Sequence, residues 1–102
     1  MRKFILNGKE IKGAELDFNA MCLMEEYGGD LSSGKTNSVV RAYVAVCMKS
    51  NPNLAGIEIQ NHVLNGGKLD DIYLTLTEAI EESDFFRKLS EQTEMEEAKE
   101  SK

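Results

Sequence analysis

The stretch that most limits what this chain can become is Ser38-Val39-Val40-Arg41-Ala42-Tyr43-Val44-Ala45-Val46-Cys47-Met48. Between Val39 and Met48 only Arg41 is charged, and the apolar residues cover nearly the whole circumference of a helix. A helix that is apolar all round is either buried or spans a membrane. The uninterrupted run from Ala42 to Met48 falls far short of the ~18 residues that a bilayer crossing needs. The spacing therefore predicts a central core helix on which the other elements lie. It ends before Asn51-Pro52, because a residue preceding proline avoids the helical region.

The flanking segments supply those other elements. Phe4-Ile5-Leu6, Asn7-Gly8 and Lys9-Glu10-Ile11-Lys12 read as a β-hairpin, since Asn-Gly suits the positive φ angles of a type I′ turn. A two-residue loop pairs Leu6 with Lys9 and Phe4 with Ile11, and sets Phe4 and Ile11 on one face. Gly13 would bulge the second strand before it resumes as Glu15-Leu16-Asp17-Phe18, with Leu16 and Phe18 toward the core. A first helix follows, capped by Asn19, with Ala20, Leu23, Met24 and Tyr27 in one stripe and Gly28-Gly29 as its stop. Asp30 to Asn37 is a polar connection, and Thr36, Asn37 or Ser38 caps the central helix.

Leu54 to Leu64 reads as a helix capped by Asn53, with Leu54, Ile57 and either Asn61 or Val63-Leu64 toward the core; Asn65-Gly66-Gly67 ends it. The next begins around Leu69, with Asp70 and Asp71 in the first turn where the helix dipole favours negative charge. Leu69, Ile72, Tyr73, Leu76 and Ile80 form its apolar stripe. Ser83-Asp84 breaks it, and Phe85 to Leu89 continues as a last turn or short helix. From Ser90 the chain is polar and charged, with little apolar surface to bury. The expected fold is α+β, mostly α: an N-terminal β-hairpin packed on a bundle of about four helices. Residues 1–89 form one domain and 90–102 a flexible acidic tail.

The net charge of −6 is uneven, with −5 of it from Glu78 onward. An acidic chain without a basic stripe argues against nucleic acid as a partner, because such binding relies on clustered Lys and Arg. Cys22 and Cys47 have no close cysteine partner in sequence and read as small apolar residues in a reducing compartment, with a disulfide left open by spacing. Met1-Arg2-Lys3-Phe4-Ile5-Leu6 starts like a signal peptide, but Asn7-Gly8-Lys9-Glu10 ends the apolar run after three residues. The expected location is cytoplasmic, with no membrane partner.

One catalytic motif matches formally. Gly29-Asp30-Leu31-Ser32-Ser33-Gly34-Lys35-Thr36 fits G-x-x-x-x-G-K-[ST], the loop that wraps phosphates in nucleotide hydrolases. Such a loop runs from a buried parallel strand into a helix, and the domain around it needs βαβ units of about 30 residues each. Here the preceding Met21 to Tyr27 has helical periodicity, so the segment reads as a flexible linker. His62, the only histidine, reads as a helix-surface or core-edge residue. Glu25-Glu26 and Asp70-Asp71 do not converge, because neighbours on a helix point about 100° apart. No catalytic site, metal site or cofactor is expected. Phe85-Phe86 cannot both face one core: either the pair covers the end of the bundle, or one ring faces solvent as a partner contact.

The order of elements carries a resemblance. A strand ending in Asn-Gly-Lys precedes Leu16-Asp17-Phe18-Asn19-Ala20; a helix end at Leu23/Glu25-Glu26-Tyr27-Gly28 precedes the buried helix. Leu64-Asn65-Gly66-Gly67-Lys68-Leu69-Asp70-Asp71-Ile72 and Ala79-Ile80-Glu81-Glu82-Ser83-Asp84-Phe85-Phe86 follow. Over residues 3–89 the chain resembles the tail assembly chaperones of long-tailed phages and prophages of Gram-positive bacteria. The resemblance implies a non-enzymatic chaperone in the bacterial host cytosol. Its partners would be the tape-measure protein and, before tube polymerisation, tail-tube subunits. It also implies a short form whose C-terminus adjoins a frameshifted extension, and self-association along the client. Candidate partner contacts are Phe85, Phe86, Met21 and Met24, since Met adapts to varied partners. The competing reading is a small cytosolic adaptor or regulatory interaction domain unrelated to phage tails.

Overall fold

A computed structural model describes residues 3–89 together with 91 and 92. The elements are strands β1 (Lys3–Leu6) and β2 (Lys9–Lys12), helices α1 (Phe18–Glu26), α2 (Thr36–Met48), α3 (Pro52–Leu64) and α4 (Asp70–Glu82), and helical residues at 84–89 and 91–92, designated α5. The fold is α+β and mostly α, as the sequence predicts. The hairpin pairs in the expected register, with Phe4 opposite Ile11 and Leu6 opposite Lys9. Asn7 and Gly8 hold φ angles of 54° and 82°, the left-handed values a type I′ turn requires. Phe4 and Leu6 are buried while Ile5 points outward, the period-2 pattern of a strand with one covered face.

Helix α2 is the central element. Val39, Val40, Ala42, Tyr43, Val44 and Ala45 are all buried, and α1, α3, α4 and β2 each pack on it. Small residues set the closest approach: a Cβ added at Gly29 would sit 2.3 Å from Ala42 Cβ and 3.2 Å from the Ser38 carbonyl oxygen. Glycine there lets the end of α1 lie directly on α2. Helix α4 buries Ile72, Thr75, Leu76 and Ala79, with Leu69, Tyr73 and Ile80 packed on the same core, so its stripe faces inward as expected.

Several expectations are corrected. The second strand does not resume after Gly13: residues 13–17 carry no strand, and Phe18 opens α1 with 60% of its surface exposed. The cap of α1 is Asp17, whose Oδ1 accepts from the Ala20 amide at 2.8 Å, and not Asn19. Asp17 lies two residues earlier, and its extended backbone aims its carboxylate at the third amide of the helix, so the helix starts before Asn19 can cap it. Helix α2 begins after Lys35 with no side-chain cap from Thr36, Asn37 or Ser38. Helix α3 begins two residues earlier than expected, with Pro52 in its first turn and Asn51 Oδ1 accepting from the Leu54 amide, in place of a cap at Asn53. Proline suits that turn because its missing N–H would be unpaired there anyway.

The largest correction concerns the face of α3. Leu54, Ile57, Val63 and Leu64 are exposed, while Ala55 is buried and Ile59 packs on the core. The expected acidic tail falls outside the described residues except for Glu91 and Gln92.

Candidate functional site

The aromatic end of the bundle is built by a corner between distant parts of the chain. Ser83 ends α4, and its hydroxyl donates to the Leu16 carbonyl at 2.6 Å and accepts from the Phe86 amide at 3.2 Å. One side chain thus ties the extended 13–17 segment to the turn into α5 and caps that helix. A second tie comes from α2. The Tyr43 hydroxyl donates to the Ala14 carbonyl at 2.8 Å, and the Ala14 amide donates to Cys47 Sγ at 3.2 Å. Burial raises both ionisable groups above their ordinary values, so the phenol and the thiol stay protonated. Cys22 and Cys47 are free thiols, and Cys47 serves here as an acceptor within the scaffold.

With the 13–17 segment held, Phe18 and Phe85 meet edge to face with ring centroids 5.5 Å apart at 67°. That geometry aligns the positive edge of one ring with the negative face of the other. Beside them lies an open groove of about 540 Å³, lined by Gly13, Ala14, Leu16, Tyr43 and Ala79 with Phe85 at one side. Glu15, Asp17, Glu82 and Asp84 also line it. Asp17 is engaged as the α1 cap and Asp84 pairs with Arg87 at 2.7 Å. The groove therefore combines apolar lining and one aromatic side with as much polar surface, carboxylates among it, which suits an apolar side chain flanked by basic residues.

The sequence-derived contact residues separate. Phe85 lines the groove and Phe86 packs against the core, both half-buried, so the pair shares the two roles. Met21 is half-buried. Met24 has no exposed surface and is withdrawn as a partner contact, because it fills the core beneath α1. Strand alternation places Phe18 in the core, whereas the structure leaves it 60% exposed. The signal that would have found it is Asp17 as an alternative cap, which turns the following residue outward.

The loop that matches the phosphate-binding pattern has another architecture. It follows α1, not a strand, and its amides serve the loop itself. Asp30 Oδ1 accepts from the Ser32 amide at 2.9 Å and its hydroxyl at 2.8 Å. The Ser33 amide donates to the Asp30 carbonyl, the Lys35 amide to Ser33 Oγ, and the Thr36 amide to the Gly34 carbonyl. Hydrogen bonds from Ser32 hold the Asp30 carboxyl below its usual range, so a negative charge sits inside the turn. The amides of Ser32, Ser33, Lys35 and Thr36, donors that would face a phosphate, are thus spent within the loop, the first of them in an Asx turn.

His62 is a core-edge residue with a structural position. Its Nδ1 accepts from the Asn7 amide at 2.9 Å and its Nε2 lies 3.0 Å from the Lys68 carbonyl, joining the hairpin turn, α3 and the loop into α4. A Cβ at Gly67 would come within 2.4 Å of the ring, so glycine gives the imidazole its room. Asn7 Nδ2 also donates to Glu58 Oε2 at 3.1 Å. Among the described residues no group of three or more His, Cys, Asp or Glu converges on a metal position, and no helix is long and apolar enough to cross a membrane. Comparison with protein-family models, curated proteins and solved structures gives no match.

Proposed function

We propose that this protein is a non-enzymatic chaperone of phage tail assembly, acting in the bacterial cytosol. It binds apolar helical segments of the tape-measure protein, and transiently tail-tube subunits, before the tube polymerises. The resemblance over residues 3–89 supports this reading, and the groove at the aromatic end carries it. Phe85 lines one side of the open groove and meets Phe18 edge to face rather than closing over it. An apolar cleft with an aromatic wall is the recurrent way for a small domain to hold an amphipathic helix.

The test is co-expression with the longest helical gene product encoded beside this chain. The client is expected in the soluble fraction only when this chain is present, and Phe85→Asp is expected to return it to the pellet while far-UV circular dichroism is unchanged. A client equally soluble without this chain overturns the reading. The coding DNA offers an independent check: a slippery heptamer with an overlapping −1 frame near the 3′ end supports it.

A further inference from the structure

Leu6-Asn7-Gly8 and Leu64-Asn65-Gly66 are the same tripeptide in two settings, and no other asparagine of the chain precedes glycine. An Asn-Gly pair carries its own reaction. The glycine amide nitrogen loses its proton and attacks the asparagine Cγ, the new C–N bond closes a succinimide ring, and the side-chain nitrogen leaves as ammonia. Water then opens the ring at either carbonyl, giving aspartate, or isoaspartate with an extra carbon in the main chain. Glycine favours the attack because no side chain shields its nitrogen. Gly8 and Gly66 both hold left-handed φ angles, 82° and 91°, and a Cβ on either would meet nothing within 4 Å. Neither local sequence nor access at the glycine separates the two sites.

The asparagines separate them. Asn7 is half-buried, and the Gly8 amide makes no hydrogen bond among the described residues, so the restraint falls on the other partners of the reaction. The Asn7 side-chain nitrogen donates to Glu58 Oε2 at 3.1 Å, and a carboxylate that accepts from the leaving group has no proton to give it. The Asn7 amide donates to His62 Nδ1 at 2.9 Å, and its φ is 54°. Ring closure needs the peptide plane between Asn7 and Gly8 to turn over. That would take the loop toward a type II′ turn, whose first central position is a glycine position.

Asn65 lacks these restraints. It is exposed, with φ −91° and ψ 15°, and its side chain makes no hydrogen bond among the described residues. The bonds beside it belong to the end of α3: the Gly66 amide donates to the Val63 carbonyl at 3.0 Å and the Gly67 amide to the His62 carbonyl at 2.8 Å. Helix ends fray at little cost, and each opening frees the Gly66 amide to attack. We propose that Asn65 is a site of spontaneous modification in the folded protein, converting to aspartate and isoaspartate while Asn7 is spared. The product bears on the fold, because a carboxylate at residue 65 opposes the negative end of the α3 dipole. The longer isoaspartyl main chain also displaces Gly67 and the Lys68 carbonyl, which lies 3.0 Å from His62 Nε2, and so loosens the joint between the hairpin, α3 and α4. This inference stands apart from the chaperone reading, because it concerns the turn after α3 and needs no client.

Peptide mapping by mass spectrometry tests it, on the full chain incubated at mildly alkaline pH, folded and in urea. In the folded chain the peptide holding Asn65 should gain one mass unit at least about tenfold faster than the peptide holding Asn7, as between a fraying end and a tied turn. In urea the two rates should converge, since the tripeptide is the same. Glu58→Ala should speed conversion at Asn7 and leave Asn65 unchanged. Asn65→Asp, the product without the extra main-chain carbon, should fold with a urea midpoint below that of the wild type. Conversion at Asn7 as fast as at Asn65 in the folded chain overturns the proposal. So does an Asn65 that stays intact in the folded chain after half of it has converted in urea. A Glu58→Ala chain whose Asn7 is no faster overturns the protective part assigned to that carboxylate.

Discussion

Helices α3 and α4 are each 13 residues long, both lie on the central bundle, and both carry a line of large aliphatic residues at helical spacing. They use those lines in opposite ways. Helix α4 turns Ile72 and Leu76 into the core, with Leu69, Tyr73 and Ile80 beside them. Helix α3 turns Leu54, Ile57 and Leu64 to solvent and meets α2 through Ala55, with Gly56 beside the Arg41 side chain. Periodicity states which residues share a face. It does not state which of two faces is inward. Small residues allow close approach to α2, so α3 packs by its slender side and leaves its bulky side exposed.

The largest expected consequence of that difference is in the core. Ile72→Ala removes a fully buried side chain and should cost about 2–5 kcal/mol in urea unfolding. Gly29→Ala probes the same kind of close approach that α3 uses, at the α1–α2 contact. Its Cβ would meet Ala42 and the backbone of Val39, and should cost about 1–3 kcal/mol. If Gly29→Ala were neutral, small residues would not be setting helix distance here and the explanation for α3 would weaken with it.

Alkaline pH should act through α2 and leave α3 untouched. Burial raises Cys47 and Tyr43 above their ordinary values of 9.0 and 10.0. Below those values both folded and unfolded chains keep the protons, and the contribution to stability is whole. Above them the unfolded chain ionises while the fold holds the protons, so stability falls as pH rises. The urea midpoint should therefore decline from about pH 9 upward. Tyr43→Phe should flatten the later part of the decline, at a cost of about 1–2 kcal/mol at neutral pH for the lost bond to the Ala14 carbonyl. The smallest effect belongs to α3: Leu54→Gln should change stability by no more than about 0.5 kcal/mol.

Much of this arrangement was legible in the sequence, and for definite reasons. Asn7-Gly8 has one preferred turn type, and that turn fixes the pairing of Phe4 with Ile11. The α2 run has no polar side to expose, so its burial followed from composition alone. The α4 stripe is flanked by Asp71, Glu78, Glu81 and Glu82, which marks the opposite side as the wet one.

On α3 that cue is missing. Its polar residues are Asn53, Gln60, Asn61 and His62, distributed around the helix with a single charge, so neither face is labelled by solvation. The 13–17 segment failed for a different cause. Leu16 is buried as a strand reading expects, but its carbonyl is satisfied by Ser83, sixty-seven positions away, and no local pattern encodes that partner. Long-range side-chain bonds of this kind also built the groove, which is why Phe85 was visible as a candidate and Phe18 was not. The Asp30 turn shows the converse: a motif complete in residue types, with the amides of Ser32, Ser33, Lys35 and Thr36 already committed within the loop.

The contrast between the two helices is tested most directly by the urea midpoints of Ile57→Asp and Ile72→Asp, measured side by side. Ile57→Asp should unfold within about 0.5 kcal/mol of the wild type, because its side chain already faces water. Ile72→Asp should fail to fold, because a carboxylate would replace a fully buried aliphatic group. A loss of several kcal/mol in Ile57→Asp would contradict this, and would mean that α3 buries its large residues within its own domain.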